Sequence, residues 1–190
     1  MVNGFIKCLE DINFYKDEDT GAHSIRVSKM AYLIAQKLNL SEKFCEEIKS
    51  FTPLHDLGKV GIPDAILLKN GKLTKEEFEV IKTHVELGYS LIKKANFGII
   101  AENITKFHHE RFNGKGYLMG LNGNSIPIEA RIVALADVYD ALRQKRCYKI
   151  SISHEESLKI ITNESGKYFD PKIVNIFKQH HQIFNDIFNN

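Results

Sequence analysis

The sequence predicts a single all-α domain. Its apolar residues recur mostly at three- and four-residue intervals, the period of an amphipathic helix, while alternating strand patterns are essentially missing. With 190 residues, 43% of them hydrophobic, the chain has the usual size of one domain and can bury a core without disulfides. It carries no low-complexity tract, no repeat of solenoid period and no linker rich in Pro, Gly or Ser.

The elements follow in order. Before Asp19 there is room for one helix, about 4–16, with Phe5, Ile6, Leu9 and Ile12 as packing residues. Ile25, Met30, Leu33, Ile34 and Leu38 mark a second over roughly 21–39. Ser41 caps a third, which carries Phe44, Ile48, Phe51 and Leu54. Pro53 is expected to bend that helix close to His55 and Asp56, and Gly58 to close it. Thr74-Lys75-Glu76-Glu77 is a capping box that opens one long helix with Phe78, Ile81, Val85 and Leu91. A shorter helix is predicted at about 97–109. Residues 111–126 then hold Asn113, Gly114, Gly116, Gly120, Asn122, Gly123 and Asn124, which forbid a continuous helix and make a structured loop. Ile126-Pro127 restarts regular structure, with Ile132, Leu135, Ala136 and Val138 on the next helix. Two more helices, near 154–165 and 171–188, complete the domain.

Composition narrows the function. A formal net charge of +2 is too small for general nucleic-acid binding, which leaves a strong basic stripe. Cys8, Cys45 and Cys147 are few, odd in number and widely separated, as expected of reduced thiols. No stretch approaches the ~20 apolar residues of a membrane span, and Met1 to Lys7 lack a signal-peptide hydrophobic region. The expected setting is soluble and cytoplasmic, away from membranes.

The chemistry lies in the histidines. Five of the eight, His23, His55, His84, His108 and His109, stand where an acid or a second histidine can share a metal ion. Asp137 follows on a later helix. Asp19 and His23 are four apart and share one helical face; Asp19 is either the cap of that helix or a ligand. His55 and Asp56, as neighbours, bind one cluster if it sits over a helix end, with Asp56 bridging two ions. His108 and His109 can serve two separate ions. Neutral imidazoles and carboxylates without paired cysteines point to an open, multi-metal centre rather than a closed thiolate zinc site. His154, His180 and His181, among polar residues, read as surface histidines.

These residues carry a family resemblance. His55-Asp56-Leu57-Gly58-Lys59, followed by Val60-Gly61-Ile62-Pro63-Asp64, resembles the HD motif of the HD-GYP phosphodiesterases of the HD superfamily. The likeness continues through His84, His108-His109-Glu110-Arg111-Phe112-Asn113-Gly114-Lys115-Gly116-Tyr117 and Asp137-Val138-Tyr139-Asp140-Ala141-Leu142, and ends at Gly166-Lys167-Tyr168-Phe169-Asp170-Pro171. An HD dipeptide alone is a weak signal; this ordered set is a strong one.

The resemblance implies that His23, His55, Asp56, His84, His108, His109 and Asp137 hold divalent metal, with iron or manganese expected. Members with three ions add a glutamate where Asp19 stands, one methylene shorter, so two or three ions are expected. It implies hydrolysis of cyclic di-GMP to pGpG, and onward to GMP, by a hydroxide bridging ions roughly 3.5–4 Å apart; cyclic GMP-AMP is a related substrate. Asp56 and Lys59 take the catalytic roles, Lys59 stabilising charge on the phosphate, and Asp140 is placed to orient a ligand. Arg146 and Lys149 match positions that bind the substrate's phosphates, whereas Arg143 and Lys145 read as solvated charge. Tyr117 either stacks on a base or packs the loop. Leu118 and Cys147 replace prolines usual in the family, and both changes fall on the substrate side. They motivate an alternative: a non-catalytic cyclic di-GMP receptor or interaction module. An HD phosphohydrolase acting on another nucleotide is a third reading. Family members interact with GGDEF proteins, so such a signalling partner is expected. On this map the metal-binding core spans about 17–150 and the C-terminal helices about 151–188.

Overall fold

In a computed structural model of the protein, residues 2–16, 20–144 and 151–190 are described. They form helices and tight turns, with only two isolated bridges, Asn113 to Asn122 and Ser165 to Phe169, in place of strands. Helix α1 spans Val2–Lys16 and α2 spans Thr20–Lys37. Asn39 then turns the chain with a left-handed φ of 54°. Helix α3, Glu42–Phe51, begins at Ser41, whose Oγ accepts the Phe44 N–H at 3.3 Å.

Pro53 ends α3 instead of bending it. A proline ring clashes with the carbonyl one turn back and offers no N–H, so the helix stops at Phe51. The chain continues as two 3-10 turns, Thr52–Leu54 and Leu57–Gly61. Gly58 is therefore not a helix terminator. It lies inside the second turn, where a Cβ would sit 1.8 Å from the His84 carbonyl oxygen and 2.5 Å from the Gly88 nitrogen. The glycine is there because two backbones nearly touch.

Helices α4 (Asp64–Leu67) and α5 (Lys75–Lys82) follow. The Thr74 capping box forms: Glu77 N–H donates to Thr74 Oγ1 at 3.2 Å, and Thr74 N–H to Glu77 Oε2 at 2.7 Å. The helix it opens is not long, however. It ends at Lys82, and α6 (His84–Ala95) starts afresh beyond Thr83. The Thr83 hydroxyl donates to the Val80 carbonyl at 2.7 Å, a local bond that competes with helix continuation. The break separates an outer segment with no buried side chain from an inner one that buries His84, Val85, Gly88 and Ile92.

Gly98, at φ 93°, leads into α7 (Ile99–Phe107). Helices α8 (Ile128–Arg143), α9 (His154–Asn163) and α10 (Pro171–Asn189) complete the described fold. Helix α8 is its axis, with Ile132, Val133, Leu135, Ala136 and Tyr139 all fully buried. A helix apolar on most of its circumference belongs in the middle. Val27, Met30, Ala31 and Ile34 of α2 and Ile173, Val174, Phe177 and Phe184 of α10 pack into the same core. A smaller cluster of Ile6, Leu54, Leu57, Ile92 and Ala101 seats the turns that carry His55 and Asp56.

Two expectations at the C-terminal end need correction. His154 is buried, not a surface histidine: its Nδ1 lies 2.9 Å from Tyr139 Oη and its Nε2 2.9 Å from His181 Nδ1. His180 and His181 are half-buried, and α10 kinks at His180. Arg143 is not simply solvated either. It donates to Tyr139 Oη and Asn185 Oδ1, both at 2.8 Å, and lies over the Phe188 ring. Lys145 lies outside the described residues.

Candidate metal centre

Seven of the predicted ligands converge from five parts of the chain. His23 comes from the first turns of α2, and His55 and Asp56 from the link between the two 3-10 turns. His84 is the first residue of α6, His108 and His109 follow the last turn of α7, and Asp137 comes from α8. They fall into two groups: Asp56, His84, His108 and His109, and His23, His55 and Asp137. Within each, potential ligand atoms lie within 4.8 Å of one another. Asp19 lies outside the described residues.

Asp56 stands between the groups. Its Oδ1 is 3.3 Å from His84 Nε2 and 3.6 Å from His108 Nε2, while its Oδ2 is 3.4 Å from His55 Nε2. Asp137 Oδ1 lies 3.2 Å from His23 Nε2 and 4.0 Å from His55 Nε2. One carboxylate thus faces both groups, the arrangement a bridging ligand needs.

The rings are fixed from behind. His55 Nδ1–H donates to the Thr52 carbonyl at 2.8 Å and His84 Nδ1–H to the Ile81 carbonyl at 2.7 Å. His108 Nδ1–H is shared between the carbonyls of Ile104 and Thr105, each at 3.1 Å. With the proton on Nδ1, the Nε2 lone pair is free. Those three Nε2 atoms are buried and find no hydrogen-bond partner among the described residues. Buried polar atoms are rarely left so; three aimed at one carboxylate fit a cation. The donor set of imidazole nitrogen and carboxylate oxygen, without thiolate, suits a divalent transition metal.

His23 is oriented differently. Its Nδ1 meets Asp140 Oδ2 at 2.7 Å, and Arg26 clamps Asp140 through Nε at 2.6 Å and Nη2 at 2.9 Å. The expected orienting role of Asp140 has this geometry. Arg26 was not anticipated, although it lies one helical turn beyond His23 on the same face. Electrostatics follow the contacts. Burial alone would lower the His23 pKa, but hydrogen bonds to Asp137 and Asp140 outweigh it and raise it to about 9. Burial likewise works against charge on Asp56, yet Lys59 and His55 hold its carboxyl well below the usual range. Lys59 Nζ lies 2.8 Å from Asp56 Oδ2. Burial, then the neighbouring His108 and His84, keep His109 well below an ordinary histidine.

Tyr117 stacks on His109, with ring centroids 4.7 Å apart and planes inclined by 26°. Phe78 of α5 meets the Tyr117 ring edge-on at 6.1 Å. Arg146 and Lys149, expected at the phosphates, lie outside the described residues, as does Cys147. Among the described residues no helix is long and apolar enough to cross a membrane.

Against known families, residues 7–173 match the model described as the HD domain. The chain belongs to the HD domain family. Its HD pair is His55-Asp56, and the motif order around it is that of the HD-GYP branch. Among curated relatives it is 39% identical to a probable cyclic di-GMP phosphodiesterase of Vibrio cholerae, covering 98% of this chain and 46% of the relative. It is 40% identical to a cyclic di-GMP phosphodiesterase of Thermotoga maritima, covering 96% and 50%. The chain thus spans about half the length of these relatives. Among solved structures, a cyclic GMP-AMP-specific phosphodiesterase of Vibrio cholerae matches with a TM-score of 0.64 at 21% identity, covering 88% of this chain and 48% of that one. At that identity the likeness concerns the HD fold.

Proposed function

We propose that this HD domain is a metal-dependent phosphodiesterase that opens cyclic di-GMP to pGpG. The observation that carries the reading is the trio of buried Nε2 atoms of His55, His84 and His108 around Asp56, without a hydrogen-bond partner among the described residues. Relatives named cyclic di-GMP phosphodiesterases at 39–40% identity support the substrate class.

His55, Asp56, His84, His108, His109, His23 and Asp137 would hold two divalent ions, iron or manganese by donor type, and Asp19 is the candidate ligand for a third. When bound, such ions act as Lewis acids toward the phosphoryl group and make water a nucleophile at neutral pH. The protein's own residues do the rest. Carbonyls behind His55, His84 and His108 fix their protons on Nδ1 and keep Nε2 available. Arg26 and Asp140 do the same for His23. Lys59, beside Asp56, supplies a cation for charge that builds on the phosphate oxygens. Arg146 and Lys149 are assigned the substrate's phosphates, arginine through paired hydrogen bonds and lysine as a compact charge. Tyr117 covers one face of His109, which joins its packing role to the rim of the substrate site.

The test is turnover by anaerobically purified protein loaded with Fe(II) or Mn(II), offered cyclic di-GMP, 3′3′-cyclic GMP-AMP and linear nucleotides. Linear pGpG should form, and Asp56→Ala should reduce it to background. Tight binding of cyclic di-GMP without product under any metal would overturn the enzyme reading in favour of a receptor.

A further inference from the structure

Directly after the His108-His109 pair stands Glu110, only 2% exposed. Its Oε1 accepts the backbone N–H of Met119 at 2.7 Å and of Gly120 at 3.0 Å. Its Oε2 is buried and has no hydrogen-bond partner among the described residues. The loop these bonds gather is the one bearing Tyr117. At its other end Tyr117 N–H donates to the His109 carbonyl at 3.3 Å. Just before Tyr117, Gly116 presses on the same backbone, where a Cβ would lie 2.5 Å from Glu110 Cα and 2.6 Å from the His109 carbonyl oxygen. The loop is thus folded back on the His109-Glu110-Arg111 segment and tied at both ends. Its product is the Tyr117 ring on His109.

We infer that Glu110 is a positioning residue: its carboxylate clamps residues 119–120 and thereby holds Tyr117 against His109. The inference rests on the metal-site reading only for the consequence at His109; the clamp itself does not. A carboxylate that accepts two backbone N–H groups makes charge-assisted bonds, the stronger kind. Losing it leaves both donors without their acceptor. Among the described residues the His109 ring makes no hydrogen bond to compare with the carbonyl anchors of His55, His84 and His108, and the stacked tyrosine takes that place. Removing outer supports of a ligand histidine typically weakens metal binding by about 10–100-fold.

Three variants separate the cases. Glu110→Asp keeps the charge but is one methylene too short to reach both amides. Glu110→Gln keeps a carbonyl acceptor in place. Tyr117→Ala removes the stacked ring. Amide hydrogen exchange on the metal-free full chain should show Met119 and Gly120 losing protection in Glu110→Asp and largely keeping it in Glu110→Gln. Mn(II) titration by calorimetry should show affinity falling about 10–100-fold in Glu110→Asp and in Tyr117→Ala, with the double variant no worse than either alone. Unchanged exchange in Glu110→Asp overturns the clamp. Additive losses in the double variant, or a Glu110→Gln defect as large as that of Glu110→Asp, overturn the link to Tyr117. A wild-type protein that binds no Mn(II) while the exchange result holds would sink the metal reading and leave the clamp standing.

Discussion

Asp140 shows how much of the proposed metal centre would lie outside its ligands. It is fully buried, bonded on one side to His23 and on the other to Arg26. Asp140→Asn keeps the shape but removes the charge that balances Arg26 and sets the His23 tautomer. Metal affinity should fall about 10–100-fold, read by calorimetry with Mn(II); unchanged affinity would remove Asp140 from the centre. Lys59 makes a different prediction because its proposed role is toward charge on the substrate. Lys59→Ala should lower kcat by about 10²–10³ while the metal content of the purified protein stays near wild type. A parallel loss of metal would instead make Lys59 a support for Asp56. At this scale the sequence was most legible, since the chemistry of His and Asp narrows what seven such residues can do together. Arg26 and the buried setting of Glu110 were not legible, because neither residue type announces burial.

Among the elements, local signals succeeded where they act locally and failed where tertiary contacts decide. Ser41 and Thr74 cap helices because their side chains satisfy N–H groups within the same turn. The break at Thr83 and the turns after Pro53 were missed, because period-based reading ran through them. Pro53 and the Thr83 hydroxyl act locally there, and the turn Leu57–Gly61 also approaches α6, where Gly58 and Gly88 let two backbones meet. Gly58→Ala would force a methyl into a carbonyl that cannot move aside. Overpacking of that kind costs about 1–3 kcal/mol, so Tm should drop by about 2–12 °C. A Tm within ~1 °C of wild type would refute the close approach.

His154 fails the surface reading for a related reason: its partners Tyr139 and His181 come from α8 and α10, far along the chain. Burial, then the nearby Arg143 and His181, lower its pKa, while Glu155 and Asp186 act in the opposite sense. The folded state therefore prefers the neutral ring. Its contribution is present above the unfolded pKa of about 6.5 and is lost as pH falls below it. The Tm gap between wild type and His154→Gln should shrink from pH 7.5 to pH 5; a gap that widens would contradict the neutral assignment.

On the scale of the whole molecule, the helical architecture serves one geometric end. Helix α8 runs through the core and presents Asp137 and Asp140 to α2, while α6 begins at His84 and α7 ends at His108 against the turns that carry Asp56. No single segment holds the candidate ligands, so metal binding there would be coupled to folding. Saturating Mn(II) should raise Tm in proportion to the logarithm of its excess over Kd, and a chelator should reverse the gain. Fold class and family order were readable because a helical period and an ordered motif set survive without knowledge of packing. The phosphate side was readable only by resemblance, since Arg146 and Lys149 lie outside the described residues.

The most direct measurement is metal stoichiometry in anaerobically purified protein, wild type beside Asp56→Ala. Two bound ions per chain in the wild type, with loss at both sites when the shared carboxylate is removed, is the predicted result. A wild type that takes up no metal, or an ion whose binding ignores the loss of Asp56, would contradict the account.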